Sequence, residues 1–223
     1  MDINIIFEDE DIVVVEKPPG MPCQRDKTGD LDLMTALDRD YLGLVHRLDR
    51  PVGGVMVYAR KESSNTWLSK GIRDRAFHKE YLAVVIGRPS EEKGQMVDQL
   101  KKLRTVNMSK VVSEDVSGSK KAILEYRLLQ SVETEEHGAL SLVHIVLLTG
   151  RHHQIRVQLS NAGLPLWGDT KYNGAFTNRK DWTQVSLWSH RIKFRHPGGR
   201  KVSYHSLPED AYPWNLFEMP EIK

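Results

Sequence analysis

Hydrophobic and polar positions alternate in short runs along most of the chain, a pattern that predicts strands more often than helices. The β-branched runs 3–7 and 12–15 lie on either side of acidic residues 8–11, so they predict two strands joined by a turn. Further strands are expected at 55–59, 80–86, 124–132, 140–148, 187–194 and 201–205. The last four runs form two pairs around short turns, which predicts two hairpins.

Helical periodicity is confined to a few segments. Helices are expected at 33–41, at 61–75 and for about ten residues after Gly150. In the second of these, Trp67, Leu68 and Ile72 are expected on the buried side. The third should end at Gly163, because glycine commonly terminates helices.

Apolar content falls between residues 87 and 121, where glycine, serine and lysine are frequent. This composition predicts a flexible or inserted segment, although not a domain boundary. Strands outnumber helices and no internal repeat is visible. The expected fold class is therefore α+β, with a mixed, mostly antiparallel β-sheet flanked by helices, in a single domain over residues 1–223.

Composition excludes several protein classes. The chain has 223 residues, of which 39% are hydrophobic, enough for a substantial core. No run is long enough to span a membrane, and the residues after Met1 lack the basic flank and apolar stretch of a signal peptide. Cys23 is the single cysteine, so no internal disulfide can form. These features predict a cytoplasmic protein.

Charge is unevenly distributed although the net charge is only +2. Residues 1–40 hold 4 basic and 11 acidic side chains, whereas residues 151–201 hold 10 basic and 2 acidic ones. Contact with a phosphate backbone is a common reason for such concentration of Lys and Arg. Solvated faces of helices and turns are the alternative, and the charge pattern alone leaves both open.

A candidate nucleophile lies in the first of two arginine-containing motifs. Asp49 follows an apolar run, lies between Arg47 and Arg50, and precedes Gly53-Gly54, where glycines would allow close approach of a ligand. A carboxylate among arginines is expected to stay ionised and can act as a nucleophile. The alternative is an Asp that stabilises a turn before Pro and Gly.

The second motif runs through residues 149–156. On the predicted helix Arg156 follows His152 by four positions, so both should project from one face. No acidic residue lies between Glu136 and Asp169, so a partner for Arg156 must come from elsewhere. The adjacent histidines of this motif should point to different sides of the helix and lack zinc-ligand spacing, so no metal is predicted.

These motifs, in this order, resemble the RluA-type pseudouridine synthases, which are RNA-modifying isomerases. The resemblance rests on His46-Arg47-Leu48-Asp49, on the Lys-x-Tyr-x-Ala-x-Val pattern around Tyr81, and on the Gly-Arg-His-His-Gln-Ile-Arg motif. It extends from residues 13–20 through 166–172 to 190–197. The chain departs from the family at Val52-Gly53, where Thr-Ser is common, and at Gln158, where His is usual.

The resemblance implies a role for each motif. Asp49 would be the catalytic carboxylate, Arg156 would keep it ionised, Tyr81 would stack on the flipped uracil, and Arg47 would fill the vacated stack. Further contacts to RNA would come from His46, Arg50, Arg151, His153 and Gln154. The reaction changes no oxidation state and adds no group, so no cofactor is expected.

The expected partner is ribosomal or transfer RNA, with no membrane and no obligatory protein partner. The residues before Val13 are too few for the S4 RNA-binding domain that many relatives carry, so target recognition is expected to rest on the catalytic domain. A monomer is the simplest expectation for a chain with a large RNA partner. A non-catalytic RNA-binding protein of the same fold is the main alternative. A metal hydrolase that uses the histidines is a third.

Overall fold

The computed structural model describes residues 3–103, 105–177 and 183–221. The elements in these ranges, in chain order, are β1 (Asn4–Glu8), β2 (Ile12–Lys17), α1 (Leu33–Leu37), β3 (Gly43–Leu44), β4 (Gly53–Ala59), α2 (Glu62–Arg73), β5 (His78–Ile86), β6 (Lys93–Leu103), β7 (Met108–Val112), β8 (Lys120–Thr134), β9 (Gly138–Leu147), α3 (Gln154–Asn161), α4 (Gly174–Thr177), β10 (Leu187–Arg195), β11 (Lys201–His205) and a short 3-10 helix (Trp214–Leu216).

These elements form two compact units. The first unit contains described residues 3–80, 188–208 and 221, and the second contains the others. The boundaries fall inside β5, after Glu80, and at the start of β10, after Leu187. A single domain over residues 1–223 stays a prediction.

The first unit is built on the strand order β1-β2-β4-β10. Neighbouring strands are antiparallel except β4 and β10, which run parallel. Strand β3 pairs with β4, and β11 forms the predicted hairpin with β10. The acidic turn after β1 is closed by Asp9, whose Oδ1 accepts the backbone N–H groups of Asp11 at 2.9 Å and Ile12 at 3.0 Å. The two predicted N-terminal strands are thereby confirmed.

Apolar side chains of β2, β4 and β10 form the core of the first unit together with Leu68 of α2. Trp67 was predicted to join them, and this was wrong. Its side chain is 44% exposed, and its indole Nε1 donates to the carbonyl of Arg195 at 3.0 Å. The indole N–H is therefore anchored to the backbone at the end of β10, while part of the ring stays at the surface. Helix α1 is shorter than predicted because Asp38 adopts a left-handed conformation at φ 46°.

The second unit has the strand order β5-β9-β8-β6-β7. The β8–β9 hairpin agrees with the sequence prediction, with Thr134 opposite Gly138. Segment 87–121 was predicted to be flexible or inserted, and the flexible alternative was wrong, since β6 and β7 form a regular antiparallel hairpin that pairs with β8. One side of this part of the sheet is apolar enough for burial: Leu100 of β6 and Ala122 of β8 pack against Val157 of α3.

Helix α3 begins later than its motif suggested. His153 has a left-handed conformation at φ 53° and precedes the first helical residue, Gln154. The fold class is confirmed, because the sheet is mixed and mostly antiparallel with few helices. Within the described ranges, no helix is long and apolar enough to cross a membrane.

Candidate active site

Asp49 lies in the first unit, in the loop between β3 and β4. Its carbonyl accepts the N–H of Val52 at 2.9 Å, which closes the turn before β4. Leu48 is 7% exposed and anchors the loop, while Arg47 is exposed and Asp49 is half-buried. The buried Leu48 therefore anchors the loop, while Arg47 and Asp49 on either side of it remain accessible to solvent.

A buried lysine fixes the backbone beside Asp49. Lys17 is fully buried, and its Nζ donates to the carbonyls of Pro18 at 2.8 Å, Met21 at 2.8 Å and Arg50 at 3.0 Å. Burial lowers the pKa of Lys17 to about 8, while the nearby Cys23 and Asp49 groups raise it. Three carbonyls match the three donors of an ammonium group, so its buried charge is solvated by the backbone.

Two further side chains hold this loop. The Cys23 thiol donates to the carbonyl of Leu48 at 3.2 Å, and its sulfur accepts the Leu48 N–H at 3.3 Å. Arg50 donates through Nε to the carbonyl of Gly20 at 2.8 Å and pairs through Nη2 with Asp30. These contacts bind Arg50 to the loop that follows Gly20. Its predicted contact with RNA stays a prediction.

His46 is a core residue of the first unit. Its Nε2 accepts the N–H of Val57 at 3.2 Å, and its ring lies 5.3 Å from that of Phe77. Burial, and then the charge of Lys79, lower the pKa of His46 to about 3. A neutral imidazole bonded to the backbone of β4 indicates a structural role, and contact with RNA is untested.

Gly53 and Gly54 serve strand pairing. They lie opposite Trp188 and Ser189 of the parallel strand β10. A Cβ at Gly53 would overlap the Trp188 ring, and one at Gly54 would overlap the Ser189 backbone. The glycines were predicted to allow close approach of a ligand, but in the structure it is strand β10 that approaches them. Glycine in place of the family's Ser at position 53 leaves room for the Trp188 ring.

The other predicted site residues belong to the second unit. Tyr81 lies on β5 and is 6% exposed, with Ala83 and Val85 buried on the same strand. Arg156 lies on α3 and is 3% exposed. Helix α3 places Leu159 in the core, and Gln158 turns toward β6, where its Nε2 donates to Asp98 Oδ2 at 2.7 Å. This contact accounts for the amide at position 158.

Arg156 forms a buried bidentate ion pair with Asp169. Its Nε donates to Asp169 Oδ2 at 2.8 Å and its Nη2 to Asp169 Oδ1 at 2.7 Å. Asp169 is fully buried and also accepts the backbone N–H groups of Lys171 and Tyr172 at 2.9 and 3.2 Å. The guanidinium lies over the Tyr172 ring, 5.3 Å from its centroid. Asp169 thus holds one edge of the guanidinium and Tyr172 covers one of its faces, so both contacts fix the orientation of Arg156.

The two histidines before α3 lie outside the helix, so their predicted separation onto different helix sides was wrong. Their rings stack, with centroids 3.8 Å apart. His152 contacts Ser109 Oγ through Nδ1 at 2.9 Å, and His153 Nδ1 contacts the Tyr172 hydroxyl at 2.8 Å. Burial, then the charges of Arg156 and Lys171, lower the pKa of His153 to about 3. The stack thus lies directly before α3, at the left-handed residue His153.

Gln154 and Arg151 connect the start of α3 to the sheet. Gln154 is 3% exposed, its Oε1 accepts from Arg151 N at 3.0 Å, and its Nε2 donates to the carbonyl of Ile123 at 3.1 Å. Gln154 therefore stabilises the loop before the helix. The exposed side chain of Arg151 donates through Nε to the carbonyl of Lys121 at 2.9 Å. RNA contacts by both residues stay predictions.

One group of side chains has the spacing of metal ligands within the part of the chain that the structure describes. Asp9, Asp11 and His196 bring one ligand atom each to within 4.8 Å of one another. However, Asp9 Oδ2 lies 3.0 Å from His196 Nε2, and Asp11 Oδ1 accepts from Ser64 at 2.6 Å. Arginine and lysine side chains lie nearby as well. The acids are thus already neutralised by protein groups.

Sequence reasoning missed three residues that support the site. Lys17 gave a signal, because a lysine after a buried strand and before Pro-Pro-Gly is unusual. Asp169 is the first acid after Glu136, and the absence of acids before it pointed to this residue. Tyr172 gave no signal beyond its place in the segment 166–172.

The fold is that of RNA pseudouridylate synthase domains. The structure titled Human RNA Pseudouridylate Synthase Domain Containing 1 superposes with a TM-score of 0.80 over 95% of this chain and 85% of the human one, at 20% identity. A sequence model described as RNA pseudouridylate synthase matches residues 11–161. The chain belongs to the RNA pseudouridylate synthase family, a family of RNA-modifying isomerases.

Two curated relatives show how the chain compares in length. Ribosomal large subunit pseudouridine synthase C of Rickettsia bellii is 31% identical over 75% of this chain, and the match covers 56% of that protein. Ribosomal large subunit pseudouridine synthase D of Vibrio cholerae is 32% identical over 96% of this chain and 70% of that protein. The chain thus spans between about half and about two thirds of their lengths.

Proposed function

We propose that the chain converts uridine to pseudouridine in large-subunit ribosomal RNA. The observation that carries this proposal is the family match over residues 11–161, a range that contains Asp49, Tyr81 and Arg156. The names of the Rickettsia and Vibrio relatives support ribosomal RNA as the substrate. Transfer RNA is the alternative substrate.

The reaction is an isomerisation. The bond between N1 of uracil and C1′ of ribose breaks, the base turns, and C5 forms a new bond to C1′. The proton on C5 is lost and N1 gains one, so atoms and electrons balance without a co-reactant. The groups required are a carboxylate near the sugar, a platform for the extruded base and cations for the phosphates.

Asp49 is the proposed catalytic carboxylate. Its placement supports this role, because the loop is held by Lys17, Cys23 and Arg50 while the side chain stays half-buried. A nucleophile gains from a fixed backbone, since misplacement of a reacting group reduces its rate steeply.

Arg156 is proposed to keep Asp49 ionised, as the family resemblance implies. A guanidinium has five N–H donors, and Asp169 takes up one edge of it. Tyr81 is proposed to stack on the extruded uracil, and the exposed Arg47 to occupy the space that the base leaves. Neither role requires a cofactor.

RNA is the proposed partner, and the chain is proposed to act as a monomer without an obligatory protein partner. A ribosomal RNA substrate also favours the predicted cytoplasmic location. The alternative of a non-catalytic RNA-binding protein predicts binding without any change in the RNA.

The test compares wild type, Asp49→Asn and the control Asp38→Asn on unmodified ribosomal and transfer RNA. Asp38 is exposed and adopts a left-handed conformation, which Asn tolerates as well as Asp does. Pseudouridine is mapped by chemical labelling and reverse-transcription stops. We expect stops with wild type and Asp38→Asn but not with Asp49→Asn, which should still bind RNA.

Stops in the Asp49→Asn reaction would remove Asp49 from the mechanism. RNA binding by wild type without any stop would support the non-catalytic alternative. Stops confined to transfer RNA would correct the substrate and leave the reaction class intact.

A further inference from the structure

Five basic side chains lie on one face of the sheet of the second unit, which we call the lysine face. The pairing of β6 with β8 and β7 defines it, because directly opposed residues lie on the same side of a sheet. Lys93 is opposite Arg127, and Lys101 is opposite Lys110. Lys121 is opposite Gln99, two residues from Lys101 on the same face. The face therefore consists of Lys93, Lys101, Lys110, Lys121 and Arg127.

The lysine face is open to solvent. Lys93, Lys110, Lys121 and Arg127 are exposed, Lys101 is half-buried, and Val97 on the same face is 50% exposed. The opposite side of these strands packs on α3 through Leu100 and Ala122. The basic side is therefore the one that this unit leaves uncovered by its own helix.

Among the described residues, these five cations have no acidic partner. Within the described residues, none of the ion pairs involves a member of the lysine face. On the described positions of β6, β7 and β8, Glu125 is the one acidic residue of that face, and its Oε1 accepts from Gln95 at 3.2 Å. The face is thus positively charged as a whole.

The strand register places cations opposite each other, which destabilises the folded protein when no RNA is bound. Like charges directly opposite on neighbouring strands repel each other, and the lysine face has two such pairs. A hairpin selected for stability alone would place an acid opposite each lysine. A bound polyanion would remove the repulsion, because each phosphate can neutralise one cation.

We propose that the lysine face binds phosphates of the RNA substrate outside the target uridine. This inference rests on the proposed RNA substrate. Lys93 and Lys101 are eight residues apart on one strand, about 27 Å at about 3.4 Å per residue, a distance that covers several phosphates. Arg151, which precedes α3, donates a hydrogen bond to the backbone carbonyl of Lys121. This contact connects the segment before α3 to a strand that carries the lysine face. The face selects RNA by charge and not by base sequence.

The main test measures the salt dependence of RNA affinity. Lys101→Gln/Lys110→Gln/Lys121→Gln is compared with wild type and with the control Lys70→Gln/Arg73→Gln/Arg75→Gln. The control residues are exposed cations at the end of α2, so both variants lose the same charge. The probe is large-subunit ribosomal RNA transcribed in vitro, and Kd is measured from low to high salt.

We expect weaker binding by the lysine-face variant and a salt slope smaller by about 2–3, since each lost phosphate contact removes about 0.7–0.9 from the slope. The control should retain the wild-type slope. An unchanged slope in the lysine-face variant, or an equal loss in the control, would overturn the proposal.

A second variant separates binding from folding. Lys101→Glu replaces one repelling pair with an attractive pair, so the melting temperature should rise while RNA affinity falls. A rise in melting temperature without loss of affinity would contradict the proposal. Both tests measure RNA affinity and do not depend on catalysis. If mapping finds no pseudouridine, only the catalytic proposal is refuted.

Discussion

The two units neutralise their charges in different ways. In the first unit Glu8 pairs with Arg39 at 2.8 Å and with Arg60 at 3.1 Å, and Lys193 pairs with Glu80 at 2.8 Å. Among its described residues, the second unit holds the buried pair Arg156 with Asp169, and no ion pair includes a cation of the lysine face. The first unit thus pairs several of its cations with acids, whereas the lysine face of the second unit presents its cations to solvent.

This difference changes the meaning of the charge pattern in the sequence. The basic segment 151–201 suggested a surface for nucleic acid, yet part of it belongs to the first unit. There, His196 and Arg200 lie near Asp9, and Arg191 lies 4.0 Å from Glu80. Asp9 of the acidic N-terminal segment thus lies beside two of these basic residues, and Glu80 lies beside the third. Four of the five cations of the lysine face lie in segment 87–121, which the sequence suggested was flexible or inserted, and Arg127 lies in the predicted strand 124–132.

The largest expected effect comes from breaking the buried pair of the second unit. Asp169→Asn leaves the Arg156 guanidinium buried without this carboxylate, which should cost about 3–5 kcal/mol of unfolding free energy. Glu8→Gln in the first unit removes a partly exposed acid and should cost at most about 1 kcal/mol. Urea unfolding at neutral pH measures both.

Equal losses in these two variants would contradict the comparison, because they would mean that burial does not distinguish the two pairs. A loss in Asp169→Asn that is smaller than in Glu8→Gln would show that the orientation of Arg156 does not depend on Asp169.

The next effect concerns pH and involves one histidine from each unit. His46 and His153 both have a pKa of about 3 in the fold, with burial as the main cause. The unfolded chain binds a proton on each near pH 6.5, so the folded state holds fewer protons between pH 3 and 6.5. Stability is therefore full above this window and falls as the pH drops through it, by about 1.4 kcal/mol per pH unit for each histidine.

His46→Gln and His153→Asn test this expectation. Gln retains an acceptor for the Val57 N–H, and Asn tolerates the left-handed backbone at position 153. Each variant should be less stable than wild type at pH 7 but lose stability less steeply between pH 6 and 4. A wild-type slope in either variant would show that the replaced histidine does not take up a proton on unfolding.

Much of the fold could be predicted because runs of β-branched and other apolar residues between turn-forming residues favour strands. This worked for β1, β2 and the β8–β9 hairpin. It failed for β6 and β7, because lysines occur on both sides of these strands and only a few inward positions are apolar, such as Leu100. It also failed at Trp67, since periodicity predicts a helix face but not which neighbour covers it.

The candidate site was predicted less completely, for a physical reason. The residues within each motif are close in sequence, but the side chains that hold them in place come from other segments. Lys17 reaches the carbonyl of Arg50 across 33 positions, and Asp169 bonds Arg156 across 13 positions on a loop that no periodicity describes. The stack of His152 on His153 depends on one backbone angle, which the residue types alone do not determine.

The smallest expected effect has opposite signs in the two units and is tested with the same substitution. Lys61→Gln in the first unit removes a cation that lies 2.9 Å from Glu10 and 3.4 Å from Asp11, so the melting temperature should fall slightly. Lys110→Gln in the second unit removes one member of the repelling pair with Lys101. Its melting temperature should rise by about 1–3 °C in the absence of RNA.

Calorimetry in low salt and again in high salt checks both signs. Salt screens exposed charges, so both shifts should shrink toward zero as salt rises. Adding RNA should cancel the gain in Lys110→Gln, because wild type would then be stabilised by the phosphates that its lysines bind. A fall in the melting temperature of Lys110→Gln without RNA would mean that this lysine stabilises the fold. The predicted difference in sign between the two units would then be wrong.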